Sequence, residues 1–327
     1  MRSLPHLLRP EFAFNRNFVI SLSNLCKNLI EQERQLFEDE YHQYYLEGES
    51  KPKSIGQPYL LHNENAQHGV LLIHGLMAAP EEVREWAEYL YALGYTVYAP
   101  RMAGHGTSAN DLSQRNASEW VDSVDRGHEI LKACCEHISI AGFSTGASVA
   151  LFQVTQKPEA FETLISISAP LKFKKFSTHF AEPVNHWNQL SHFWDDSILG
   201  KVIKTRRWRK EFATNHADNP HINYLRCPVN SIVQIKRLME NVCQSLSSIS
   251  IPTLLIHATD DPKVDVQSSQ KIYKIIQSKQ KQYKEVDFHL HGIIRGEIAK
   301  QVFEEVQGFY RQHFSMQSSV QQGRIHS

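Results

Sequence analysis

Ile138-Ser-Ile-Ala-Gly-Phe-Ser-Thr-Gly-Ala147 decides how the rest of the chain is read. Apolar residues alternate up to Gly142. Gly142-Phe143-Ser144-Thr145-Gly146 then spells G-x-S-x-G, and a helix-like run from Ala147 to Val154 follows. The order predicts a strand, a tight turn and a helix, with Ser144 at the apex of the turn. A serine there sits in a strained backbone conformation, and bulky side chains two residues either side would collide with the turn.

Working outward, Val70-Leu-Leu-Ile73 is a wholly apolar run, as a buried parallel strand requires, and it ends in His74-Gly75-Leu76-Met77. Pro80 opens a helix that Gly94 closes, Tyr95–Ala99 is the next strand, and Ser118 is positioned to cap a helix carrying Val121, Val124 and Leu131. Strand and helix alternate through Leu164–Ser168 and resume at Pro252–His257 and Val286–Leu290, ending in a helix with Ile298, Val302, Val306 and Phe309. This is the rhythm of an α/β protein with a mostly parallel, doubly wound sheet.

Residues 173–249 interrupt that rhythm with clustered aromatics, among them Trp187 and Trp194, and are expected to form an inserted helical cap. The expected organisation is a helical extension and linker over 1–66, a core over 67–172 and 250–314, the cap, and a disordered polar tail over 315–327. Within the extension, Phe18, Leu22, Leu25 and Leu29 fall at helical spacing. The expectation is a helix packed on the main domain, because Glu31, Glu33, Glu38, Asp39 and Glu40 disfavour an anionic membrane surface.

Composition narrows the function. The chain has 327 residues, 41% apolar and 21% charged, with zero formal net charge, so no overall field draws it to nucleic acid. The basic run Lys201–Lys210 is read as a solvated face for the same reason. No stretch reaches the roughly 18 to 20 apolar residues of a membrane span, and no secretory leader is recognised. A cytoplasmic setting is expected, with peripheral membrane contact left open and oligomeric state unassigned. Cys26, Cys134, Cys135, Cys227 and Cys243 form no framework, which suggests reduced thiols, and makes Asn116-Ala-Ser a chance sequon. Neither a phosphate loop, a dinucleotide fingerprint nor a metal-ligand spacing occurs, so no cofactor and no metal are expected.

Ser144 needs a base to take its proton and an acid to orient that base. In a parallel sheet both belong on loops at the carboxyl ends of later strands. One such loop is Ala258-Thr-Asp-Asp-Pro-Lys-Val264, in which Asp261 is preferred, with Asp260 and then Asp265 as rivals. The other begins His291-Gly292-Ile293, where His291 competes with His289, placed within the preceding strand. The backbone N–H groups of Leu76 and Thr145 are the expected oxyanion donors. His105, in Gly-His-Gly, is read as ordering its loop.

Together these features resemble α/β-hydrolases of the monoacylglycerol lipase and small bacterial carboxylesterase type. Leu72-Ile-His-Gly75, Gly104-His-Gly-Thr-Ser108, Trp120-Val-Asp-Ser-Val124, the Ser144 turn, Pro252-Thr-Leu-Leu-Ile256 with the Asp261 loop, and His291-Gly-Ile carry the resemblance, over about Gly69 to Tyr310. It implies an α/β-hydrolase core, a Ser144–His291–Asp261 triad and a cap over an acyl pocket, and it supports Asp261 over Asp260. The chain departs from the pattern at Ala147, where a second glycine is common, and at His291-Gly292, where many members have Gly-His. The implied activity is hydrolysis of an ester with an apolar acyl group, such as a monoacylglycerol or a lysophospholipid. A thioesterase or peptidase using the same residues, or a catalytically silent binding protein on the same fold, is the alternative.

Overall fold

The computed structural model of the protein describes residues 16–173 and 212–323. Trp187, Trp194 and the basic run Lys201–Lys210 lie outside the described residues.

The sheet forms from seven strands in the order β1-β3-β2-β4-β5-β8-β9. These are β1 (Tyr59–Leu61), β2 (His68–Ile73), β3 (Thr96–Ala99), β4 (His137–Phe143), β5 (Leu164–Ile167), β8 (Thr253–Ala258) and β9 (Lys281–Val286). Every pairing is parallel except β1 with β3. The interior strands are apolar on both faces because both are covered: β2 is buried from Gly69 to Ile73 and β8 along its whole length. Strand order reverses between β2 and β4, whose ends are level at Ile73 and Gly142. At such a switch point the loops leaving the two strands part to opposite faces and open a crevice.

The helices that cover the sheet include α3 (Arg84–Ala92), α5 (Ala117–Lys132), α6 (Thr145–Gln156), α8 (Gln267–Ile275) and α9 (Ala299–Gly323). One apolar layer holds Leu71, Trp120, Val149 and Leu255, and the other holds Val70, Trp86, Ile165, Leu254 and Val306. Helix α5 is capped by Asn116, not Ser118. The Asn116 side chain accepts from the Ser118 and Glu119 N–H groups while Glu119 returns a bond to the Asn116 N–H, which gives the sequon asparagine a structural task.

The expected strand Val286–Leu290 is displaced. Strand β9 ends at Val286, and Asp287 to Leu290 already belong to the following loop. The actual strand, Lys-Gln-Tyr-Lys-Glu-Val, lies on the sheet edge, where a polar strand needs no apolar alternation. The 173–249 expectation is also revised. Phe212–Thr214 (β6) pairs antiparallel with Arg226–Pro228 (β7), so strands occur there. Helix α7 (Val229–Ser245) packs on α5 and α6 and buries Ile235, Leu238 and Val242 in the core. The polar stretch from Ser315, expected to be disordered, continues α9 as helix to Gly323.

Helix α1 (Arg16–Tyr44) lies against α5, but on a face one step round from the expected stripe. Cys26, Ile30, Phe37 and Tyr41 are buried, whereas Leu25 is 49% exposed. Its carboxylates, not its leucines, find most of the partners: Glu33 meets Arg126, Glu38 meets Lys53, and Glu40 bridges Arg101 and Arg115. Cys26 and Cys134 are joined as a disulfide, which corrects the expectation of reduced thiols throughout. They are 108 residues apart in sequence, and only the docking of α1 brings them together. No helix among the described residues is long and apolar enough to cross a membrane.

Arg101 is 4% exposed, so Glu40→Ala strands a buried guanidinium and is expected to cost about 3 kcal/mol in urea unfolding. Leu25→Ala should stay within about 0.5 kcal/mol. Denatured without reductant, the protein should titrate as three thiols, Cys135, Cys227 and Cys243; five would remove the disulfide.

Candidate active site

Ser144 stands between β4 and α6 with φ 55° and ψ −119°, in a region a non-glycine residue rarely adopts. The flanking glycines make the turn possible. A Cβ on Gly142 would strike the Gly146 carbonyl, and one on Gly146 would strike the carbonyls of Ile73 and His74. The Ser144 N–H donates to Ile167 O at 2.8 Å, so the neighbouring strand holds the strained residue.

His291 comes from the loop after β9 and Asp261 from the loop after β8. His291 Nε2 lies 2.8 Å from Ser144 Oγ, and Nδ1 lies 2.6 Å from Asp261 Oδ2. The rivals fall away by placement: Asp260 and His289 are exposed, and Asp265 meets the Gln267 N–H and Lys172. Asp261 is fully buried, and its Oδ1 accepts from the Lys263 and Val264 N–H groups at 2.8 and 2.9 Å. Burial alone would raise its pKa. The charge and hydrogen bond of His291, the contact with His257 and the Val264 N–H outweigh burial and hold the carboxyl well below the usual carboxylate range. An ionised carboxylate therefore faces the imidazole, and the string can move a proton from Ser144 Oγ to His291 Nε2.

The opposite wall comes from the end of β2. Thr145 opens α6, where first-turn N–H groups lack an intrahelical acceptor, and Leu76 and Thr145 both line the cleft beside Ser144. Glu82, overlooked in the sequence, holds this wall: its Oε2 accepts the Gly75 N–H at 2.7 Å. Burial pushes the Glu82 carboxyl up, countered in part by that N–H and by His291, Lys263 and Arg295. The available signal was Pro80-Glu-Glu-Val83 at the start of a helix, which does not tell Glu82 from the half-buried Glu81. His257 was overlooked too; its signal was a lone imidazole in an otherwise apolar buried strand.

The cleft has two characters. Leu76, Phe143, Phe173, Ile232, Ile235 and Val264 contribute apolar lining, while Asn215, Asp218, Asn219, Asn223 and Lys263 contribute polar lining. Lys263 Nζ and Asp218 Oδ1 are 3.1 Å apart, so these two charges are matched.

Beneath the cleft, the buried rings of His74 and His105 meet edge to face at 5.0 Å. His74 donates from Nδ1 to Gly75 O, 2.9 Å away, and accepts the Met102 N–H at Nε2. Burial lowers its pKa to about 4, opposed by the Gly75 carbonyl and assisted by Arg101. Burial, then the charge of His74, lowers His105 well below the ordinary value. The unfolded chain takes up protons at both near pH 6.5 while the folded one resists. Stability is therefore complete above about pH 6.5 and declines toward pH 4, by up to about 1.4 kcal/mol per pH unit per histidine. Urea unfolding across that range is the check, and His74→Asn should flatten the slope.

Comparison with known proteins bears on the family and the fold. The Hydrolase_4 family, described as serine aminopeptidase S33, matches residues 64–298. A thermostable monoacylglycerol lipase of Bacillus sp. (strain H-257) is 28% identical over 219 residues, covering 67% of this chain and 80% of the lipase. A carboxylesterase of Bacillus subtilis (strain 168) is 25% identical over 241 residues, covering 73% of this chain and 91% of the esterase. Among solved structures, the monoacylglycerol lipase of Paleococcus ferrophilus superposes with a TM-score of 0.61 at 18% identity, over 78% of this chain and 99% of that one. At that identity it speaks for the fold, a mostly parallel sheet with flanking helices. The chain belongs to the Hydrolase_4 family of α/β-hydrolases.

Proposed function

We propose that the protein is a serine carboxylic-ester hydrolase that works through an acyl-enzyme. The observation that carries this reading is the hydrogen-bonded string Ser144–His291–Asp261 at the floor of a cleft with apolar lining. Ser144 Oγ attacks the ester carbonyl as His291 Nε2 accepts its proton. The N–H groups of Leu76 and Thr145 receive the developing oxyanion, and Asp261 stabilises the imidazolium without taking its proton. His291 then returns the proton to the leaving alcohol, and water cleaves the acyl-enzyme by the same steps.

The substrate is an ester with an apolar acyl chain on a polar alcohol, in the class of monoacylglycerols and lysophospholipids. The mixed apolar and polar lining of the cleft supports this, as do the names of the Bacillus relatives. The segment between β5 and α7 acts as a cap, since it contributes Phe173, Asn215, Asp218 and Asn223 to the cleft. A peptidase reading is favoured by one observation, the description of the family.

p-Nitrophenyl esters of graded chain length, set against aminoacyl p-nitroanilides, separate the two readings: preferential ester turnover is expected. Ser144→Ala should lower kcat by roughly 10⁶ and abolish labelling by a fluorophosphonate. Wild-type protein that neither turns over esters nor takes the label would end the proposal.

A further inference from the structure

His257 is fully buried at the carboxyl end of β8, in a strand whose other residues are apolar apart from Thr253. Burying an imidazole is costly unless its nitrogens are matched, and an aliphatic side chain would fill the site at less cost. Both nitrogens have a neighbour. Nδ1 lies 2.7 Å from Ser269 Oγ, on α8, and Nε2 lies 3.3 Å from Asp261 Oδ2. The second contact lies within ion-pair range but lacks hydrogen-bond alignment, and Nε2 has no hydrogen-bond partner. Ser269 is itself fully buried.

Proton positions follow from charge. Asp261 is an ionised acceptor, which favours the tautomer with its hydrogen on Nε2; in that tautomer Nδ1 accepts the Ser269 hydroxyl proton. The result mirrors the catalytic arm about one oxygen: Ser144, His291 and Asp261 on one side, Asp261, His257 and Ser269 on the other. Asp261 Oδ1 accepts from two backbone N–H groups, while Oδ2 lies 2.6 Å from the His291 ring and 3.3 Å from the His257 ring. Backbone bonds alone fix Oδ1 and leave the carboxylate a residual rotation. An N–H of His257 facing Oδ2 restricts that rotation through its attraction to the carboxylate charge, even without full hydrogen-bond alignment.

We infer that His257, with its tautomer set by Ser269, is a positioning residue that orients Asp261 Oδ2 toward His291. The inference rests on the proposed use of Asp261 and His291 in ester hydrolysis. Partners of this kind, one step removed from the reacting groups, govern orientation and basicity in other sites.

The test compares His257→Leu, which removes the donor, His257→Gln, whose amide can restore it, and Ser269→Ala, which frees the tautomer. Turnover of a p-nitrophenyl ester is normalised to sites labelled by fluorophosphonate, so loss of folded protein does not enter kcat. His257→Leu should lower kcat about 10-fold, the scale of one hydrogen bond to a charged group, with KM within about twofold. His257→Gln should recover kcat to within about threefold. The low-field proton resonance of His291 Nδ1–H in the free protein should move in His257→Leu and Ser269→Ala and return toward its wild-type position in His257→Gln. An unmoved resonance with kcat within twofold in His257→Leu overturns the inference, as does equal loss in the Leu and Gln variants. Wild-type protein inactive on every ester would instead end the functional proposal, while the resonance still reports on His257.

Discussion

The site depends on how closely two pieces of backbone approach each other. The first turn of α6 lies against the end of β2, near enough that a single Cβ on Gly146 would meet two carbonyl oxygens. That contact sets the angle at which the chain leaves β4. The angle in turn holds Ser144 in its strained conformation and keeps the Thr145 N–H beside the loop that carries Leu76. Because β2 and β4 are adjacent and level at the switch point, Ser144 and the wall that carries Leu76 come from neighbouring strand ends. The strain at Ser144 is balanced by the strand pairing on either side of it, including its own bond to β5.

Asp261 and His291 arrive from further along the sheet, and burial fixes how they meet. Asp261 is sealed from water and fully bonded, and His291 rests on the ring of Phe143, with centroids 4.9 Å apart. An exposed carboxylate such as Asp260 would share its charge with solvent and hold a ring less firmly. Neighbouring residues in one loop thus differ in use because one side chain turns inward.

The Ser144 turn and the strand-end histidine and glycine were legible because each is a local pattern with one structural meaning. Strand β9 was misplaced because an edge strand carries little apolar alternation, while Val286 to Leu290 alternates without pairing. The docking face of α1 was misjudged for a related reason: the stripe through Leu25 is the more apolar, but the one that packs is defined by carboxylates whose arginines come from distant segments. Helix α7 was grouped with the insertion because aromatic clustering says nothing about which surface a helix meets. Glu82 and His257 escaped notice because a polar residue announces a task only once its burial is known.

The anchoring of the polar lining of the cleft has a consequence for how this chain relates to its family. Glu49 binds Arg226 and the Ala109 N–H, and Lys51 reaches Pro220 O, so residues ahead of the family-matched segment hold the loop that supplies Asp218, Asn219 and Asn223 at its middle and at its C-terminal end. Ser144, Asp261 and His291 all lie within the matched segment 64–298, whereas part of the cleft's polar lining is fastened from outside it. Changes in the extension can therefore reach the lining of the cleft without altering any residue of the Ser144–His291–Asp261 string.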